Sequence, residues 1–280
     1  MQASSSWAPP TGTLGRIVAE ARERAKALER RAVELERQAA AAEAPPAFAA
    51  ALRASTVCVI AEVKRRSPSK GWIQPDMDAA KQAASYERAG ARAISVLTEP
   101  VHFAGSNEDL RVVRRAVGVP VLKKDFHVEP IQLTEAKALS ASAALLIVRA
   151  LGPVGLGQML SAAKGLGLEV LVEIRDEQEL DLALTAGAPV IGINNRNLET
   201  LAIDPATSER LLHRIPTHVI AVAESGVSER PDVERVARAG ADAVLVGSSV
   251  SAAADPVDGV RRLTGVVKAP RKADPSLRSG

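Results

Sequence analysis

Seven short segments of the chain carry side chains able to move protons or hold an anion. Glu62 and Lys64 stand two apart, as do Asn194 and Arg196. Lys123, Lys124 and Asp125 form a charged triplet, and Arg149 and Glu173 each close an apolar run. Glu224-Ser225-Gly226 and Gly247-Ser248-Ser249 are short polar turns. Lysine and glutamate brought together supply a proton donor and an acceptor. Crowded at one place, lysines beside other cations are expected to lose basicity and glutamates beside lysines to keep their charge. Lys64, Lys124, Arg149 and Arg196 point to an anionic substrate. The two Gly-Ser turns suit a phosphate, because glycine lets backbone N–H groups approach and serine adds a hydroxyl donor. Any one of these residues alone reads as a surface charge, a rim salt bridge or an ordinary turn. Their recurrence at successive strand ends favours a site.

The elements that must position them are short apolar runs: 57–64, 91–98, 119–125, 143–150, 168–174, 190–196, 218–225 and 241–249, one every 20–35 residues. Amphipathic stretches separate them, many ending in glycine, the usual residue just past a helix. Eight such units predict an α/β fold, a (β/α)8 TIM barrel over 57–266, with an open doubly wound sheet as the alternative. In a closed parallel barrel all strand carboxyl ends meet at one rim. Side chains alternate along a strand, so Glu62 and Lys64 point one way, Asn194 and Arg196 one way, and Lys123 and Lys124 opposite ways.

Residues 1–12 are rich in Ser and Pro and are expected to be disordered. Over 13–56 a helical extension is expected: Thr13 as cap, one helix from Leu14 to about Ala44 before Pro45-Pro46, then a short helix from Phe48. Its apolar face (Leu14, Ile17, Val18, Ala21, Ala25, Leu28) suits docking on the barrel better than a coiled coil. Residues 267–280 form a basic flexible tail.

Aromatic residues make up only 2% of the chain against 46% hydrophobic, so Ala, Val, Leu and Ile must build the core. One cysteine excludes an intramolecular disulfide framework and a cysteine-based zinc cage. Cys58 reads as a buried core thiol. No apolar run approaches membrane-spanning length and no secretory leader is apparent, so a cytoplasmic protein is expected. The pI of about 9.2 reflects the tail rather than a basic face, because 36 basic and 33 acidic residues are interspersed. Neither nucleic acid nor membrane is an expected partner. His102 and His127 read as solvated loop residues, and Trp72 equally as a lid anchor or as loop packing.

Taken together, IAEVKRRSPSKG (60–71), VLTEPVHFAGSNEDL (96–110), PVLKKDFHVEPIQ (120–132), ALLIVRAL (144–151), EVLVEIRDEQEL (169–180), IGINNRNLETL (191–201), VAESGVSER (222–230) and VLVGSSV (244–250) resemble the indole-3-glycerol phosphate synthase family of tryptophan biosynthesis. The segments follow one another in order, one per strand end. The resemblance implies closure of the indole ring of 1-(2-carboxyphenylamino)-1-deoxyribulose 5-phosphate, with loss of carbon dioxide and water. It implies no metal and no organic cofactor, and a monomer or weak homo-oligomer acting on a phosphorylated small molecule. By the same resemblance Lys124 would be the general acid at the substrate ketone. Lys64 would hold the anthranilate carboxylate and share acid duty in dehydration. Glu173 would be base or proton shuttle, with Glu62 and Asn194 positioning the reacting groups. Ser67 would line the carboxylate side, and Phe103, Phe126, Leu146, Leu198 and Leu201 would pack the ring. Arg196 and Glu224 would also contact substrate, and Ser225, Gly226, Gly247 and Ser248 would hold the phosphate.

Three positions depart from the family pattern: Arg175 where His is common, Asn197 where Asp is frequent, and ALSASAALL without the usual Gly-Ala-Asp turn before the fourth strand. A phosphoribosylanthranilate isomerase, the runner-up barrel, would want its cysteine at the other end of the first strand. A non-catalytic phosphate-binding barrel would have no use for Lys124 and Glu173 together.

Overall fold

The computed structural model describes residues 7–271. The expectations for residues 1–6 and 272–280 lie outside the described residues. Eight parallel strands close into a barrel: β1 Cys58–Val63, β2 Ala93–Leu97, β3 Val121–Lys124, β4 Ala143–Ile147, β5 Glu169–Ile174, β6 Val190–Asn194, β7 Ile220–Glu224 and β8 Ala243–Val246. Each pairs with its successor, and β8 returns to β1 with Cys58 opposite Ala243. The open-sheet alternative is excluded by that last pairing. Three helices precede the barrel, α1 Gly12–Glu29, α2 Ala32–Ala41 and α3 Phe48–Ala51. The rest follow the strands: α4 Ala79–Arg88, α5 Asn107–Ala116, α6 Pro130–Ala138, α7 Val148–Gly165, α8 Glu177–Thr185, α9 Ala206–Leu212, α10 Arg230–Arg238, α11 Ser248–Ser251 and α12 Pro256–Arg261.

Strand alternation sorts the core into two layers. Val59, Ala61, Val121, Leu146, Val172 and Ile193 face the helices. Cys58, Ile60, Leu122, Leu145, Ile147, Leu171 and Val222 face inward. Both layers are aliphatic, as the scarcity of aromatics requires. The extension closes the barrel at both ends. Phe48 and Leu52 are fully buried in the inner cluster beside Cys58, at the strand amino ends. Ala49 N–H donates to Glu169 Oε2 at 2.9 Å, which ties α3 to the start of β5. At the opposite rim α1 buries Leu14, Ile17, Val18 and Ala21 against the same inner cluster.

The extension differs from expectation in two ways. Its first helix starts at Gly12 with Thr11 as the capping position rather than Thr13. It also breaks at Arg30–Arg31, so that Leu35 packs with Ala25 and Ile131. No Pro or Gly marks that break; tertiary docking of α2 on α6 imposes it. Trp7 to Gly12, grouped by composition with a disordered terminus, pack against α7, where Trp7 lies on Gly152. Lys268 and Arg271 of the tail are held by Asp242, at 3.1 and 2.7 Å.

The unusual turn before β4 also resolves. Ser140 takes φ 55, the left-handed conformation that Gly90, Gly167, Gly187 and Gly240 supply after other helices. A side chain there costs roughly 1 kcal/mol, and the turn is otherwise intact, with Ala141 N–H on Ala136 O at 3.0 Å.

Candidate active site

The last inward-facing residue of most strands is polar, and these residues meet at the carboxyl-end mouth. A cavity of about 300 Å³ opens there, lined by Glu62, Lys64, Lys124, Glu173, Asn194 and Glu224 on its polar floor. Lys124 Nζ stands 3.5 Å from Glu173 Oε2 and 3.2 Å from Glu224 Oε2. Lys64 Nζ pairs with Glu62 Oε1 at 2.5 Å, and Ser95 Oγ–H donates to Glu62 Oε2 at 3.3 Å. Asn194 Nδ2–H donates to Glu173 Oε1 at 2.9 Å, fixing the carboxylate plane, while Asn194 Oδ1 accepts from Arg196 N–H at 2.9 Å. Gly192 and Gly247 make room: a Cβ at the first would run into the Glu224 carboxylate, and at the second into Glu62 and Lys64.

Three buried carboxylates face two ammonium groups, and the imbalance sets their proton affinities. Burial pulls Lys124 down, but Glu224, Glu173 and Glu62 together lift it well above the ordinary lysine value. The expectation that crowding makes this lysine less basic is therefore wrong for the free site. Its neighbours are anions, because the other nearby cations find partners of their own. Burial raises Glu62, but Lys64 and Lys124 outweigh it and hold the group below its usual range. Burial, Glu173 and Glu62 push Glu224 up to about 8 against the pull of Lys124. Lys124 is the ion-pair partner of Glu224 Oε2, and neither Glu224 oxygen makes a well-aligned hydrogen bond among the described residues. Burial and its anionic neighbours thus favour the neutral form of Glu224.

The remaining walls divide by chemistry. Phe103, Phe126, Leu198, Leu201, Leu14 and Ile17 form the apolar side, with the two phenyl rings tilted at 6.2 Å. Ser67 stands on the hairpin Arg66–Ser67/Gly71–Trp72 above Lys64. At the ends of β7 and β8 lie Ser225 and Gly226, both left-handed at φ 62 and 74, and Gly247, Ser248 and Ser249. Ser249 Oγ is buried and has no hydrogen-bond partner among the described residues.

All but one of the residues given a role by the family resemblance line this cavity. The exception is Leu146, which faces the helix layer; Leu145 and Ile147 take its place. Alternation required this, since Leu146 is one residue out of step with the inward positions. Arg149 also leaves the main cavity and lines a smaller side chamber of about 110 Å³ behind Glu173 and Asn194. Lys123 points outward, buried between Asp125 at 3.3 Å and Glu135 at 3.2 Å, as alternation predicts. His127 is buried rather than solvated: its Nδ1 meets Leu145 O at 2.9 Å, and burial and Lys123 push its pKa down to about 4. His102 is half-buried, with Nε2 2.7 Å from Glu20. Cys58 is buried as expected, and burial raises its thiol. Trp72 is exposed and stacked under Arg66 at 5.6 Å. Leu14 and Ile17 were legible as part of an apolar helix face, though not as cavity wall.

The family profile described as Indole-3-glycerol phosphate synthase matches residues 14–263. This chain belongs to the indole-3-glycerol phosphate synthase family. Indole-3-glycerol phosphate synthase 2 of Streptomyces coelicolor is 47% identical over 262 residues, which cover 91% of this chain and all of that protein. The indole-3-glycerol phosphate synthase of Mycolicibacterium gilvum is 50% identical over 222 residues, 79% of this chain and 82% of that protein. The family's enzymes are carboxy-lyases that close a ring with decarboxylation. Among solved structures, 3-hexulose-6-phosphate synthase from Salmonella typhimurium superposes with TM-score 0.61 at 16% identity, covering 74% of this chain and 96% of that one. That likeness is one of barrel fold alone. Among the described residues no helix is long and apolar enough to cross a membrane.

Proposed function

We propose that this cavity closes the indole ring of 1-(2-carboxyphenylamino)-1-deoxyribulose 5-phosphate, with Lys124 as general acid and Glu173 as general base. The supporting observation is the placement of the Lys124 ammonium between two carboxylates in a cavity with an apolar wall. The substrate fits by parts. Its phosphate takes the Ser225-Gly226 and Gly247-Ser248 turns, its anthranilate ring the wall of Phe103, Phe126, Leu198 and Leu201, and its carboxylate Lys64 with Ser67.

The ring carbon bearing the carboxylate attacks the ketone carbon, and the new carbon–carbon bond pushes an electron pair onto the ketone oxygen. Lys124 gives that oxygen a proton. Carbon dioxide leaves with its bonding pair returned to the ring, which restores aromaticity. The hydroxyl then departs as water after taking a second proton, from Lys64 or from Lys124 recharged. Glu173 accepts the proton lost as the indole double bond forms, and Asn194 keeps its carboxylate aimed. Every proton in this scheme has a side chain to carry it, so the reaction calls for neither a metal nor an organic cofactor. The upward shift of Glu224 bears on the acid step. A fully ionised triad of carboxylates would hold the Lys124 proton too firmly; a neutral Glu224 loosens that grip. We place the enzyme in the cytoplasm, acting as a monomer or weak homo-oligomer on a phosphorylated small molecule.

The test is direct. The purified chain mixed with the carboxyphenylamino substrate should develop indole-glycerol phosphate fluorescence. Lys124→Ala should abolish turnover while substrate still binds, since phosphate and ring contacts remain. Unchanged turnover in that variant would remove Lys124 from the mechanism.

A further inference from the structure

The loop after β6 gives the cavity Arg196, Leu198 and Leu201. It is internally tied. Asn197 Oδ1 accepts from Glu199 N–H at 2.8 Å and Thr200 N–H at 3.1 Å, and Arg196 donates to Leu201 O at 2.9 Å. Its outer side is gripped by residues that the chemistry above does not use. Glu199 Oε1 accepts from Arg149 at 2.9 Å, from Thr11 N–H at 2.7 Å and from Thr11 Oγ1–H at 3.2 Å. Arg149 in turn donates to Ala8 O at 2.7 Å and Pro9 O at 3.3 Å, and lies 5.7 Å over the Trp7 ring. Trp7 Nε1–H reaches back to Arg149 O at 3.4 Å. Two glycines let the parts close up: a Cβ on Gly12 would come within 2.7 Å of Glu199 O, and one on Gly152 within 2.8 Å of Trp7 Cδ1.

We propose that Arg149 and Glu199 are positioning residues, which with the strap 7–13 latch the loop after β6 so that Leu198 and Leu201 form a standing wall of the ring pocket. Lys124 and Glu173 ride on strands held by the barrel ladder, so the latch does not set their geometry. An unlatched loop spends part of its time away from the cavity. Apparent affinity then falls by the fraction of time the pocket is competent, whereas the saturated enzyme keeps its chemistry. The kinetic part of this inference rests on the ring closure proposed above.

Trp72→Phe leaves Trp7 as the single tryptophan of the chain. In that background, Arg149→Met and Glu199→Ala are each expected to raise KM about tenfold with kcat within about threefold. The double variant is expected to be no worse than the more affected single one, because both changes open one latch. Trp7 emission should shift to the red in each, as the ring leaves Gly152 for water. If Glu199→Ala does not fold, Glu199→Gln, which removes only the charge, carries the same expectation in smaller size. An unchanged KM with a lowered melting temperature would reduce the latch to a structural tie and overturn the proposal. So would an unshifted Trp7 emission. A parent enzyme inert towards the substrate would refute the ring-closure reading alone, and the emission of Trp7 would still decide whether these residues hold the strap.

Discussion

Glu179 lies in the wall of the side chamber, 3% exposed, in the first turn of α8. Its Oε2 accepts from Arg175 N–H at 2.8 Å, and its own N–H is capped by Asp176 at 2.9 Å. Burial, Asp176 and Glu173 push its pKa from 4.5 up to about 8, against the Arg175 N–H and the charge of Arg149. In the unfolded chain the group ionises at its ordinary value. Between the two values the folded state holds a proton that the unfolded state has released, so stability falls as pH rises and levels off above about pH 8. At about 1.36 kcal/mol for each pH unit, the two units from pH 6 to pH 8 cost the fold about 3 kcal/mol through this residue alone. Glu179→Gln keeps the acceptor for Arg175 N–H and removes the titration. Urea denaturation followed by far-ultraviolet circular dichroism at pH 6 and pH 9 measures the difference. Glu224 adds a slope of the same sign, but it is present in both proteins and cancels in the comparison. The wild type should lose about 3 kcal/mol more than the variant over this range. Parallel pH profiles would refute the reasoning, because Glu179 would then ionise alike in both states.

Glu173→Gln should slow turnover by about 10²–10⁴-fold with little change in KM, read by indole fluorescence, because the amide keeps the bond to Asn194 but takes no proton. Leu146→Ala should lower stability by about 2–5 kcal/mol in urea titrations and leave KM alone, since the side chain packs among helices. Leu145→Ala, one residue away, should raise KM as well. Ser140→Gly should stabilise the fold by roughly 1 kcal/mol in the same titrations, by relieving a left-handed serine at a helix end.

The barrel was legible because its evidence is periodic. Eight apolar runs, each followed by an amphipathic stretch and most helices by a glycine, leave few ways to bury small aliphatic side chains on both faces of a sheet. The extension was less legible because its shape comes from surfaces it meets. The break at Arg30–Arg31 has no local cause, and Leu35 turns to Ile131 only because α6 stands there. Trp7 to Gly12 look like a loose end by composition, yet they lie in a slot shaped by Gly152 and Glu199, far away in sequence.

The lining of the cavity was legible in the sequence but its electrostatics were not, and the reason is geometric. Which residues face the mouth follows from counting by twos: Ile60 and Glu62, Leu122 and Lys124, Leu171 and Glu173, Val222 and Glu224 share one face. Leu146, taken from the family resemblance, fails by that same rule, being one residue out of step. The partners across the mouth obey no count. Arg196 spends its guanidinium on Leu201 O, Arg149 on the strap, and Lys123 on Asp125 and Glu135. Arg196 and Arg149, expected near the reacting groups from their place in sequence, are thereby removed from the field of Lys124, and Lys123 lies on the opposite face as alternation predicts. What remains beside Lys124 are Glu62, Glu173 and Glu224. The local charge of the site depends on which basic residues are engaged elsewhere, and that is decided by loops packing on one another. A lysine set among ionised glutamates is held as a weak acid, and the burial that favours the neutral form of Glu224 works against that hold, which its place in the chain did not reveal.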